Sequence, residues 1–219
     1  MFRQLESVFI VLLFTLSPGY GNFEYLQFVL TWPATFCHTR RCVKIPNNFT
    51  IHGLWPDNKS TQLNFCSTRP MFKTITDEIK KEALQHHWPN LTTNKVVSKR
   101  DQVFWRKEYD KHGTCCSNLF NQNQYFDLAI ELKDKFDLLN ILGKNGITSG
   151  TNHLTSHKIQ SAIKSITKGI PNLICSHNYK AGTTELWQIA ICLDQNIAVI
   201  DCPLPKICTT KGTTGITFP

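Results

Sequence analysis

Apolar and polar positions along this chain predict most of its elements. The run from Phe23 to Trp32 (FEYLQFVLTW) is apolar on both faces apart from Glu24 and Gln27, which is the pattern of a central strand. Phe49 to Leu54 alternates, with Phe49, Ile51 and Gly53 on one side and Thr50, His52 and Leu54 on the other. Thr76 to Leu84 opens with acids and sets Ile75, Ile79 and Ala83 at helical spacing. Tyr125 to Gly143 reads as one helix stopped by glycine. Leu154 to Thr167 reads as another, ended by Gly169 and Pro171. Leu186 to Cys202 has the form of a hairpin turning at Asp194 to Asn196. The expected fold class is α+β: a central, largely antiparallel sheet with several helices packed on it, stapled by disulfides.

Ahead of these elements, Val8 to Leu16 is an apolar or small-polar run behind Arg3, followed by Gly19 and Gly21. It is too short for a bilayer, which needs about 20 apolar residues. Residues 1–21 are therefore expected to be a cleaved signal peptide, and residues 22–219 one domain. Secretion suits the nine cysteines, Cys37, Cys42, Cys66, Cys115, Cys116, Cys175, Cys192, Cys202 and Cys208, of which an oxidising compartment pairs eight. Their connectivity does not follow from sequence. Secretion also gives meaning to the sequons at Asn48, Asn58 and Asn90 as glycosylation sites. A formal charge of +8, from 24 Lys+Arg against 16 Asp+Glu, permits attraction to polyanions such as RNA without demanding it.

The chemistry lies in two separated stretches, NNFTIHGLWPDN (Asn47 to Asn58) and DQVFWRKEYDKHG (Asp101 to Gly113). Read as a helix starting at Asp101 and ending at Gly113, the second puts Phe104, Glu108, Lys111 and His112 on one face, with Lys107 on its edge. A solvated charged stripe is the plain alternative. The aromatic on that face and the following Cys115 favour a groove wall. Two imidazoles, His52 and His112, suit a reaction that takes one proton and gives one near neutral or mildly acidic pH. RNA transesterification needs that pair: a base for the ribose 2′-OH, an acid for the departing 5′-oxygen, and a cation such as Lys111 or Lys107 for the phosphorane-like transition state. Trp55 offers a face on which a base could stack. No metal is expected, because Cys115 and Cys116 lack a second ligand pair at metal spacing. No cofactor is expected either. His86 and His87 read as helix-end residues, and His38, His153, His157 and His177 as surface.

FTIHGLWPDN and FWRKEYDKHGTCC resemble the two active-site segments of the T2 family of acid ribonucleases, in order and in spacing. The strand FEYLQFVLTWP and the cysteine positions extend the likeness over nearly the whole mature chain, and it is nearest to the S-RNases of nightshade-type self-incompatibility. The resemblance implies His52 as general acid and His112 as general base, with Glu108 and Lys111 supporting the transition state. It implies that Gln27, Phe104, Lys107 and the segment around Asn94-Lys95 hold RNA, while Trp55 and Asp57 border a base site. It implies bridges Cys37–Cys42, Cys66–Cys115, Cys175–Cys208 and Cys192–Cys202, leaving Cys116 free. One position departs from the family, since many members carry a third histidine where this chain has Lys107. The implied protein is a secreted, extracellular, monomeric endoribonuclease for single-stranded RNA, with a pollen-side recognition protein as a further partner. The stretch Met71 to Lys99 corresponds to the family's variable surface. An ordinary defence or phosphate-recycling ribonuclease, and a decayed RNA- or glycan-binding protein, are the rival readings.

Overall fold

The computed structural model describes residues 23–67, 72–209 and 215–219; the expected signal peptide, residues 1–21, lies outside them. In chain order the elements are β1 (Tyr25–Thr31), α1 (Pro33–His38), β2 (Thr50–Asp57), α2 (Glu78–His87), α3 (Lys95–Asp101), α4 (Val103–Lys111), a 3-10 turn (Gly113–Cys116), α5 (Gln122–Lys135), α6 (Leu138–Lys144), β3 (Thr151–Leu154), α7 (Ser156–Thr167), β4 (Asn172–Asn178), β5 (Thr183–Leu193), β6 (Val199–Ile200) and β7 (Ile216–Phe218). The strands form one sheet of α+β type. β5 is its spine: β1 pairs along one side and β4 along the other, both antiparallel. The β5–β7 pair is parallel, and β2 lies at the edge beyond β1. Every residue of β1 is buried, as its two-sided apolar pattern requires. The hairpin across Asp194 to Asn196 forms with Cys192 opposite Ile200.

Four readings of the pattern are corrected. In β2, Val29 pairs with Gly53 and Leu30 with Ile51, so His52 is an inserted bulge residue. The bulge breaks the alternation, and Phe49, Ile51 and Leu54 all join the core. The helix predicted from Thr76 begins only at Glu78, capped by Asp77, and Ile79 is 83% exposed while Ile75 and Leu84 carry the burial. The long helix from Tyr125 is two: α5 ends at Lys135 with Phe136 as its cap, and Asp137 caps α6 by accepting from the Asn140 N–H. Asp101 closes α3 rather than opening α4. Gln102, left-handed at φ 53°, separates the two helices and exchanges side-chain hydrogen bonds with the Ile75 backbone. His38 is also not a bare surface residue, since its Nδ1 lies 2.6 Å from Oε2 of the buried Glu185.

All four implied disulfides are present and Cys116 is a buried free thiol. Cys66–Cys115 has the consequence for the site. It ties the segment after β2 to the turn that follows α4, and the Phe65 N–H adds a 2.7 Å hydrogen bond to the Lys111 carbonyl. Loop-closure entropy predicts that replacing both Cys66 and Cys115 by alanine lowers the unfolding free energy by about 4 kcal/mol, against about 2 kcal/mol for Cys37 and Cys42. The sequence separations behind those figures are 49 and 5, and urea denaturation of both double variants checks the order.

Candidate active site

His52 reaches its position through the bulge. A regular β2 would give every second side chain to the core; the extra residue instead turns the imidazole out of the register. Two buried tryptophans hold that backbone. Trp88 Nε1 donates to the His52 carbonyl at 2.8 Å, and Trp105 Nε1 donates to the Trp88 carbonyl at 2.8 Å. The ring's Nδ1 faces inward, 2.5 Å from Nε2 of Gln188 on β5, whose amide also donates to Thr31 Oγ1 at 3.1 Å. That leaves Nε2 as the nitrogen free to meet a substrate. Gln188 was not foreseen: nothing local marks it, and only the sheet register sets it beside β2.

The second imidazole caps α4, its backbone N–H donating to the Glu108 carbonyl at 2.9 Å. His112 is buried, and its Nδ1 has no hydrogen-bond partner among the described residues. Trp55 joins the two halves. Its ring centroid lies 5.0 Å from that of His52, edge-on, and 5.0 Å from that of His112, stacked at 26°. Its Nε1 donates to Glu108 Oε2 at 3.1 Å. Gly53 makes room for this bond, because a Cβ there would stand 2.1 Å from the indole nitrogen and 2.5 Å from Oε2. His112 therefore takes one face of the indole that sequence reasoning offered to a base.

Burial and one cation set the protonation states. Desolvation, with the Lys111 ammonium adding to it, pulls His52 down to about 4. Desolvation, Lys111 and His52 pull His112 to about 3. Burial raises Glu108 to about 7, against the opposing effects of the Trp55 hydrogen bond and Lys111. Near neutrality burial thus favours neutral imidazoles and holds the Glu108 carboxyl well above the usual carboxylate range. The positive charge of the site comes from Lys111.

The remaining sequence-predicted residues fall into separate places. Gln27 Nε2 donates to Asp57 Oδ2 at 3.0 Å, and Asp57 Oδ1 accepts from the Asn58 and Leu63 N–H groups. Gln27, Asp57 and Trp55 line a cavity of about 190 Å³ with Lys59 and Lys206. Phe104 lines a second, of about 80 Å³, with His52 and Thr31. Asn94 and Lys95 are not brought to the imidazoles: Asn94 caps α3, Lys95 pairs with Glu82 at 2.7 Å, and both line a larger groove. Lys107 is exposed on α4. Of the sequon asparagines, Asn48 and Asn90 line the same large groove, and Asn58 borders the cavity beside Trp55. Among the described residues no three His, Cys, Asp or Glu side chains form a group able to hold a metal ion.

Residues 23–202 match the sequence profile of the Ribonuclease T2 family. Ribonuclease S-7 of Nicotiana alata is 55% identical over 217 residues, covering 98% of this chain and 98% of that protein. The crystal structure of the gametophytic self-incompatibility associated SF11-RNase of Nicotiana alata aligns with a TM-score of 0.83 at 42% identity, covering 90% of this chain and 99% of that one. The structure of RNase NT in complex with 5′-AMP aligns with a TM-score of 0.74 at 29% identity, over 90% and 98% of the two chains.

The buried ionisable groups predict the acid limb of stability. Both imidazoles titrate lower folded than their ordinary 6.5, so the unfolded chain binds more protons below that pH. Their contribution is complete above 6.5 and is lost as pH falls toward about 4 and about 3. Glu108 works oppositely: raised from 4.5 to about 7, its contribution is complete below 4.5 and lost as pH rises through 7. Two groups against one leave a net loss toward acid between 6.5 and 4.5. The unfolding free energy, from urea titrations at the two ends of that window, is expected to fall less in a His52→Asn/His112→Asn double variant than in the parent.

Proposed function

Because this chain belongs to the ribonuclease T2 family, we propose that it is a secreted endoribonuclease that cleaves single-stranded RNA by transesterification through a 2′,3′-cyclic phosphate. The observation that carries this reading is the pair of imidazoles each 5.0 Å from the Trp55 ring, with Glu108 bonded to the same indole and Lys111 acting on all three groups. His112, held neutral by burial, takes the proton from the ribose 2′-OH as that oxygen attacks phosphorus. The P–O5′ bond breaks, and His52 gives a proton to the departing 5′-oxygen. Charge gathering on the non-bridging oxygens is met by Lys111 and by Glu108 in its protonated, donating form. The anionic phosphodiester itself raises the imidazole pKa values, so the acid's proton is stabilised when substrate arrives. Gln188 fits either state of His52, donating to the neutral ring or turning its carbonyl to the charged one.

A role as the pistil determinant of gametophytic self-incompatibility is the finer proposal. It rests on the 55% identity to Ribonuclease S-7 across nearly both full lengths. Secretion rests on the four disulfides, which belong to oxidising compartments. A decayed binding protein is disfavoured by His52, Glu108 and His112, which stand intact around one indole with the Lys111 charge acting on all three.

His112→Asn is expected to lower the rate of RNA cleavage by ~10²–10⁴-fold, with cyclic phosphate ends as the parent's first product and no cleavage of a 2′-deoxy substrate. Undiminished cleavage by the variant, or turnover of the deoxy substrate, defeats the scheme. Plants expressing the chain in the pistil are expected to reject pollen of the matching haplotype and to accept it when the chain is absent. Acceptance in both leaves the ordinary-ribonuclease reading.

A further inference from the structure

Behind the His52 ring lies a short chain of buried polar side chains from the two central strands. Thr31 of β1 and Gln188 of β5 are partners in the sheet register, 5% and 4% exposed. Gln188 Nε2 is 3.1 Å from Thr31 Oγ1 and 2.5 Å from His52 Nδ1. With the amide nitrogen donating, Nδ1 is an acceptor, and the neutral ring carries its proton on Nε2. That form is not an acid of useful strength. An imidazolium has an N–H at Nδ1 as well, and two buried donors facing one another leave both unsatisfied. The charged ring therefore needs the amide reversed, with its carbonyl toward Nδ1–H. Thr31 permits both orientations, because a hydroxyl accepts from the amide N–H in one and donates to the carbonyl in the other. The titratable groups around the ring belong to α4 and its cap: Lys111, His112, and Glu108 through the Trp55 indole.

We propose that Gln188 is a positioning residue for the proton donor, idle in the orientation of this structure and competent when its carbonyl holds Nδ1–H of the charged ring. The inference rests on the transesterification reading above. In the competent form the Nε2–H bond breaks as the proton passes to the departing 5′-oxygen, and the electron pair stays on Nε2. The ring is left neutral with its other proton on Nδ1, still held by the carbonyl. Reaction thus delivers the opposite tautomer from the idle one, and only a group that both donates and accepts serves the two. The plain alternative is a buried amide that merely completes the packing of the sheet.

The test pairs two substrates. A dinucleoside monophosphate needs its 5′-oxygen protonated to leave, whereas a nucleoside 3′-(para-nitrophenyl phosphate) releases a phenolate without a proton. Gln188→Met is expected to slow the dinucleotide by roughly 10–100-fold, the scale of a hydrogen bond to a charged group, and to slow the aryl ester far less. Its basic limb of kcat/KM should fall at lower pH, since the protonated ring has lost its acceptor. Gln188→Glu should keep dinucleotide cleavage and move that limb up by about 1–3 pH units, because a carboxylate favours the charged ring. Nitrogen NMR of the free parent should find the neutral His52 ring protonated on Nε2. Equal losses on both substrates, a basic limb unmoved in the variants, or a neutral parent ring protonated on Nδ1 overturns the assignment. Where the methionine variant does not fold, the glutamate variant and the parent tautomer decide. If His52→Asn slows the aryl ester as much as the dinucleotide, His52 is not the acid, and the reading beneath falls first.

Discussion

The site depends on how an edge strand satisfies its outward carbonyls. β2 has a partner only on the β1 side, and an edge in the middle of a fold needs donors from elsewhere. Two side chains supply them: Trp88 Nε1 to the His52 carbonyl at 2.8 Å, and Tyr125 OH to the Leu54 carbonyl at 2.8 Å. Both donors are fully buried and belong to the aromatic cluster under the helices. The bulge at His52 is thus pinned from the core rather than left to loop flexibility. Because Trp105 of α4 bonds to the Trp88 backbone, the helix bearing Glu108 and His112 is referenced to the same tryptophan. Core and chemistry share one framework.

That framework brings three titratable groups into one dry place beside a lysine. In so buried a place the neutral forms are favoured, because an isolated charge loses hydration without gaining a partner. The arrangement gives two similar rings different duties through their surroundings. His52 has an amide behind it that can follow a proton, whereas His112 has no such partner at Nδ1. Glu108 is bonded on one oxygen by an indole, and Gly53 leaves space for that bond.

Sequence reasoning reached the parts of this design that have a local signature. The two-sided apolar run of β1, the hairpin of β5 and β6, and the α+β class follow from pattern; the four bridges came through resemblance. It failed where tertiary context decides. Alternation assigned Leu54 to the wrong face because a single inserted residue at His52 shifts everything after it. Periodicity opened α4 at Asp101, which instead closes α3, and joined α5 to α6, since neither Gln102 in a left-handed conformation nor Asp137 as a cap interrupts an apolar rhythm. Ile79 looked like a core position but stands on the outer side of α2. Gln188 and Trp88 acquire meaning only from what lies across space from them, which no spacing rule records.

The doubled cysteine deserves a last consideration as a matter of assembly. Cys115 is bridged to Cys66, while its neighbour Cys116 is fully buried, with burial pushing its thiol up to about 12. In the nascent chain both sulfurs are equally ready to take Cys66, and exchange between them needs only an available thiolate. Choosing the wrong one would move the anchor that follows α4 by one residue, within the turn that begins next to His112. Once the chain has closed around Cys116, burial disfavours the thiolate that such exchange requires. The thiol is a hazard while the protein is being made and a lock afterwards.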